Sequence, residues 1–475
     1  MTTGWVIREI DWPTSPAGAA AALAQSGELA WLDSAADVAR YPRGAWYSMF
    51  CTRPVACVEQ FEGRPATLAV RGQVRSSDAS GWRLWRRAVE SLPNLEPLEA
   101  GLGPGWVGYV GFEMARQLER LPASHHEDRG LPLLRMSLFD RAFILDHQRH
   151  RALAVRARGV RTALGVPDSN DESWIEDWRS AASAGDPATP DGVPRLRYEW
   201  ESPAYERAVA RALNYIAAGD IYQVNLAQRL RLDGVGEALA LYAVLRRANP
   251  APYAALLRWG KRAIASVSPE LFLRLRGDEV LSCPIKGTRP RTGDPAADEL
   301  YRRELLASAK EAAELTMIVD LHRNDLGRVC RYGSVRVLHP RRVEAHPTVF
   351  HTVADVAGRL APGRDGLDLL TACFPAGSVS GVPKIRALQI IDELEPVARG
   401  AYTGAIGVLG LDGQMTFNVA IRTLQIHGPA ATLYVGGGIV ADSDPAAEYE
   451  ETLAKARGIL RGVMSGREAA MRDER

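Results

Sequence analysis

The chain of 475 residues has length for two or three folding units, and its 46% of hydrophobic residues fits a globular protein with ample core. A formal net charge of +1 excludes an electrostatic nucleic-acid binder, which needs a basic excess, but leaves room for a local basic pocket. No stretch approaches the ~20 apolar residues of a membrane helix, and the opening MTTGWVIREIDWP lacks the apolar core of a secretory signal.

Residues 1–180 mix short apolar runs with turns, as in GWVGYVGFEMAR (105–116) and SLFDRAFILDH (137–147), the latter a strand followed by a turn. Gly, Pro, Asp and Ser dominate SAASAGDPATPDGVPR, so residues 181–200 read as a linker or exposed loop. Patterning strengthens over 201–465, and 466–475 is a polar tail. Ser202 as cap, Pro203 at the first helical position and apolar Val209, Leu213 and Ile216 predict a helix ending at Gly219. IYQVNLAQRLRL (221–232) alternates as a strand, and 263–275 and 279–286 read as further strands. Residues 296–325 read as one long helix. A small-residue loop enters a helix at Pro383, and Asp412-Gly413 marks a hairpin. Asp444 and Pro445 open the last helix. This irregular mixture of helices with antiparallel hairpins predicts an α+β fold of large sheets with helices outside.

Of the 58 basic residues only five are lysine: Lys261, Lys286, Lys310, Lys384 and Lys455. Arginine cannot give up its proton and act as a nucleophile, whereas lysine can, so the lysines that persist in an arginine-biased chain are enriched for chemistry. Lys286 lies in SCPIKGTRPR, after an apolar approach and before a Gly287-Thr288 turn. Such a residue is either a surface lysine before a loop or a partly buried amine with a lowered pKa. Glu270, in VSPELF, is a turn glutamate or a general acid. Glu311 and Glu314, like Glu448 and Glu451, lie three apart on helices and project from one face. Either pair alone is ordinary solvated surface; all four converging would need a cation, and oxygen ligands suit magnesium. The GSVSG loop offers N–H groups to an anion. Gly436, Gly437 and Gly438 weaken a strand, which invites close approach of a ligand. Arg422 could pair with a carboxylate, and His351 reads as a satisfied core histidine. Five scattered cysteines (Cys51, Cys57, Cys283, Cys330, Cys373) have no zinc spacing, so a reducing cytoplasm is expected.

Taken together, GDIYQVNLAQR, SPELF, PIKGTRPR, the E-x-x-E with DLHRNDLGRV, FPAGSVSGVPKIRALQIIDELE, YTGAIG and GGGIVADSDPAAEYEETLAKARG resemble the chorismate-binding enzymes over about residues 202–460. That family includes anthranilate, aminodeoxychorismate, isochorismate and salicylate synthases. The N-terminal third is similar more faintly, at LDSA, GWVGYVGFE and the FDR segment. The resemblance implies two large, orthogonally packed antiparallel sheets flanked by helices, with the active site between them. It assigns Glu311, Glu314, Glu448 and Glu451 to a magnesium site that holds the ring carboxylate of chorismate. Lys455 and the Gly436–Gly438 backbone lie near that carboxylate, Arg422 and Tyr402 hold the enolpyruvyl group, and Gly287 and Thr288 line the pocket. His351 lies near the ring, and Glu270 is the general acid.

Two positions choose among the reactions. Gln223 stands where the water-adding members carry a lysine base, and Lys286 stands where anthranilate synthases carry alanine. Both features resemble the aminodeoxychorismate synthase branch, with Lys286 as covalent nucleophile, in 4-aminobenzoate and folate biosynthesis. No cysteine has the glycine-flanked setting of a glutaminase nucleophile, so ammonia is expected from a separate glutamine amidotransferase subunit. Leu32, Asp33 and Ser34 resemble a tryptophan-sensing motif with Asp in place of Glu; a tryptophan site here is regulatory, structural or absent. The alternatives are an anthranilate synthase and a non-catalytic chorismate- or tryptophan-binding regulator.

Overall fold

The computed structural model describes residues 4–34, 47–98, 101–168, 172–190, 192–346 and 349–464. The expected polar tail lies outside them. Two twelve-stranded antiparallel sheets, flanked by helices, form the described fold, as the resemblance implied. The first runs from Gly4–Ile10 through Arg151–Arg158, Arg141–Asp146, Tyr47–Thr52 and Leu29–Asp33. It continues through Tyr253–Trp259, Arg262–Ser268, Thr423–His427, Ala430–Ile439 and Gln223–Asp233 to Arg195–Tyr198. The second runs from Ile285–Pro290 through Val349–Arg359, Glu279–Cys283, Leu271–Arg276, Met415–Val419 and Ala405–Gly410 into Gly105–Val110 and four more N-terminal strands. Each sheet therefore draws strands from both ends of the chain.

Apolar alternation drives the layers. Met49, Ile144, Leu257 and Ile264 of the first sheet meet Val107, Tyr109, Ile406 and Val408 of the second in a buried cluster. The opposite face of the first sheet packs under Pro16–Ala24, Ser173–Ala182, Ala238–Ala248 and Pro445–Met464. The opposite face of the second packs under Gly81–Glu90, Ala309–Gly327 and Gly366–Cys373. Both strand faces are thus covered, which explains runs such as Gly105–Val110 that are buried at every residue.

Several elements differ in detail from the sequence reading. Residues 181–200, expected as a linker or exposed loop, include the end of the helix Ser173–Ala182 and the strand Arg195–Tyr198, which pairs with Gln223–Asp233. The strand expected over 279–286 is two, Glu279–Cys283 and Ile285–Pro290, each paired with Val349–Arg359. The helix expected from a Ser202 cap spans Ser202–Ala217 with Glu201 as cap, because the Ser202 hydroxyl donates to Glu206 rather than capping the backbone. The strand expected over 263–275 is two, Arg262–Ser268 and Leu271–Arg276, one in each sheet, with Pro269 and Glu270 at the crossing. The single helix expected over 296–325 is also two, Pro295–Ala307 and Ala309–Gly327. Ser308 is extended at ψ 112° and its hydroxyl caps the second helix by accepting the Glu311 N–H at 3.2 Å. The freed carbonyls of Leu305 and Ser308 accept from Arg341. The Asp412-Gly413 hairpin forms as expected, with Gly413 at φ +75°.

Candidate active site

The site lies where the edge strand Ile285–Pro290 faces the strand Ala430–Ile439 of the other sheet. Pairing of Ile285–Pro290 with Val349–Arg359 shifts register between Lys286 and Thr288. Gly287 forms the irregularity at φ +73°, and a Cβ there would stand 2.7 Å from Glu311 Oε2. Only glycine meets both constraints. On the facing strand, a Cβ at Gly438 would stand 2.2 Å from Gln223 Nε2 and 3.3 Å from Lys286 Nζ. The missing side chain thus leaves space in which a buried glutamine and the lysine amine meet.

Lys286 is half-buried. Burial lowers its pKa, while Glu314 and Glu270 pull the other way and Lys455 adds to the lowering. Glu270, in the crossing between the sheets, is 2% exposed. Burial raises its carboxyl to about 7, against the opposing influence of Ser378, Lys286 and the Ile285 backbone N–H. The Ser378 hydroxyl donates to Glu270 Oε1 at 2.5 Å. A carboxyl that keeps its proton near neutrality beside an amine that readily loses one is an acid–nucleophile pair. Ser378 was missed as a site residue: its loop reads as an anion cradle, whereas its hydroxyl serves Glu270. The small-residue run GSVSG was the available signal.

The four glutamates flank this gap. Glu311 lies under Gly287, and Glu448 Oε2 lies 2.9 Å from where a Cβ at Gly437 would stand. Glu448 accepts from Ser443 at 2.6 Å, Glu451 pairs with Lys455 at 2.7 Å, and Arg289 reaches Glu311 at 3.4 Å. Burial raises the pKa of Glu314, and Glu311 and Glu448 raise it further; burial and then Glu451 raise that of Glu448. The two pairs therefore face one region. Among the described residues, no three carboxylate, histidine or cysteine groups stand close enough together to hold a metal ion. Their oxygen-only chemistry and mutual repulsion nonetheless fit a hard divalent cation.

His351 is buried at 4% and does more than fill core. Its Nε2 accepts from Arg422 Nη2 at 3.0 Å, so Nδ1 carries the proton toward Thr288 Oγ1 at 3.0 Å or Gly287 O at 3.3 Å. Burial, then Arg422, hold its pKa well below the usual value, so the ring is neutral. Arg422 itself has φ +51°, a strained bend of the kind found at functional sites. Lys455 Nζ donates to Gly436 O at 2.8 Å. Tyr402 stands apart from Arg422 in its contacts: it stacks on Tyr434 at 5.3 Å and accepts from the Asn225 side chain.

The Leu32–Ser34 segment is remote from the lysine. Asp33 accepts from Arg246 Nε at 2.7 Å, from Tyr242 at 3.1 Å and from Ser48 at 3.2 Å. It borders a cavity of about 70 Å³ with Leu32, Tyr47, Tyr253, Arg274 and Arg276 among its walls. No helix among the described residues is long and apolar enough to cross a membrane.

A family model described as chorismate binding enzyme matches residues 43–461. Anthranilate synthase component 1 of Streptomyces coelicolor is 42% identical over 397 residues, covering 81% of this chain and 76% of that protein. Aminodeoxychorismate synthase component 1 of Klebsiella aerogenes is 40% identical over 361 residues, covering 76% of this chain and 77% of that protein. The crystal structure of anthranilate synthase component I from Streptococcus pneumoniae matches with a TM-score of 0.78 at 29% identity, covering 87% of this chain and 92% of that one. With a match spanning both sheets and every element that carries the site, the chain belongs to the chorismate-binding enzyme family.

Proposed function

We propose that the chain is an aminodeoxychorismate synthase component, converting chorismate and ammonia to 4-amino-4-deoxychorismate and water. Relatives at 42% and 40% identity carry the two competing names, so overall similarity does not choose between them. The observation that carries the choice is Lys286, with its amine beside Gln223 and Gly438 and its charge disfavoured by burial. The Lys286 amine attacks ring carbon 2, and the carbon 4 hydroxyl leaves as water with the proton of Glu270. Ammonia then bonds to carbon 4 and expels Lys286 from carbon 2, and the proton lost by the nitrogen nucleophiles restores Glu270. Two displacements put nitrogen where oxygen was. Gln223 has no basic lone pair with which to activate water, which disfavours the isochorismate reaction.

Glu311, Glu314, Glu448 and Glu451 would hold a magnesium ion, which neutralises the ring carboxylate when bound. Lys455 and the Gly436–Gly438 backbone add to that end of the pocket. Arg422, fixed by His351, binds the enolpyruvyl carboxylate. Burial raises the pKa of all five cysteine thiols, so none is set up as a glutaminase nucleophile. A partner glutamine amidotransferase therefore supplies ammonia.

Incubation with chorismate, magnesium and ammonia tests the reading, with the product identified by mass. Aminodeoxychorismate is expected; anthranilate as the main product would replace this reading with anthranilate synthase. Lys286→Ala and Lys286→Arg should each lower carbon 4 amination by about a thousandfold, since neither side chain can form the covalent intermediate.

A further inference from the structure

Arg399 is 1% exposed and lies between the helix Lys384–Leu394 and the Tyr402 bend. A guanidinium carries five N–H donors in one plane. Here Nε reaches Glu395 Oε2 at 2.8 Å, Nη1 reaches Val379 O and Thr403 Oγ1 at 3.1 Å each, and Nη2 reaches Glu395 Oε1 and Asn225 O at 2.6 Å each. Every donor direction is used. Glu395 balances the charge and also accepts the Ala227 N–H at 2.8 Å.

Three of these acceptors lie on segments that carry the proposed reaction groups. Val379 follows Ser378, the donor to Glu270. Asn225 is two residues from Gln223. Thr403 follows Tyr402 and holds φ +59°, a conformation that a β-branched residue avoids without restraint. A stabilising ion pair needs only Glu395; the other contacts tie three separate loops and strands to one rigid plane.

We propose that Arg399 is a positioning residue for the proton donor: it holds the Ser378 loop and thereby the hydrogen bond that Glu270 receives. This rests on the reading of Glu270 as the acid. The polar groups facing the Glu270 carboxyl are the Ser378 hydroxyl, the Ile285 N–H and the Lys286 amine. Arg399 has no hydrogen bond to Glu270, so its influence travels through Val379 and Ser378.

Arg399→Lys keeps the charge but has three donors and no planar fork. Two measurements are made on it: the pH dependence of kcat for the aminated product, and titration of the Glu270 carboxyl band by difference infrared against Glu270→Gln. The variant should melt cooperatively, with kcat about tenfold lower. Its Glu270 titration should move up by about half a pH unit or more, because a donor to the carboxylate is lost. Ser378→Ala should give the same upward shift, and the double variant no further shift. If Arg399→Lys does not fold, Glu395→Gln provides the milder loosening and should shift the titration in the same direction. A wild-type titration in either folded variant overturns the proposal and leaves Arg399 a purely structural ion pair. The infrared measurement needs no turnover, so a failed product assay would discard the reaction while a shifted band would still support the positioning role.

Discussion

Glu270 couples chemistry to stability. Its carboxyl titrates at about 7 when folded, against 4.5 for an ordinary glutamate. The folded state therefore binds the proton more tightly than the unfolded state. This group's contribution is full below about pH 4.5 and is lost as pH rises through about 7. Glu270→Gln should consequently make the protein more stable than wild type at pH 8, by on the order of 3 kcal/mol, with little difference near pH 4. Urea unfolding at the two pH values checks this, and equal differences at both would contradict burial as the cause. Turnover should fall on the alkaline side as Glu270 loses its proton and on the acid side as Lys286 gains one. The lysine, the glutamates and the glycines were legible because each is a short local motif. The Ser378–Glu270 bond was not, since 108 residues separate the partners and no local pattern reports such a meeting.

At the scale of elements, the break at Ser308 matters most. The run LLASAKEAAEL contains neither Gly nor Pro, and its helix formers hide the interruption from propensity. The extended Ser308 backbone resets the helix so that Glu311 sits in a first turn, with its N–H capped and its carboxylate under Gly287. Ser308→Ala should cost about 1 kcal/mol of stability through the lost cap. It should also raise the magnesium concentration needed for half-maximal activity, because the carboxylate loses its fixed entry angle. A magnesium titration alongside thermal melts separates the two effects; an unchanged requirement would disconnect the cap from the proposed metal site. Strand and hairpin positions were legible wherever alternation ended at a turn, as at Asp412-Gly413. The change of sheet at Pro269–Glu270 was not legible, although VSPELF marks a turn there, because a turn interrupts a strand without saying which sheet the next strand joins.

At the scale of the molecule, sheet order was the least legible feature, because pairing depends on contacts that local pattern does not encode. Leu29–Asp33 lies between Tyr47–Thr52 and Tyr253–Trp259, and Gly105–Val110 pairs with Ala405–Gly410. Neither end of the chain can satisfy its own strand edges. A fragment spanning residues 201–464 should therefore fail to fold alone and should regain structure when mixed with 1–200. Circular dichroism of the separate and mixed fragments tests this, and a cooperative melt of the C-terminal piece by itself would refute it.

The scarcity of lysine carries a practical consequence. Lys261 and Lys310 are exposed, Lys384 is engaged by Asp325, and Lys455 by Glu451. Burial lowers the pKa of Lys286. Acylating or reductive-alkylating reagents at neutral pH attack the free-base form of an amine, so a brief, dilute treatment of this lysine-poor chain yields few tagged peptides, among which that of Lys286 is easily followed. Occupancy of the cleft by substrate would then be read as protection of a single peptide.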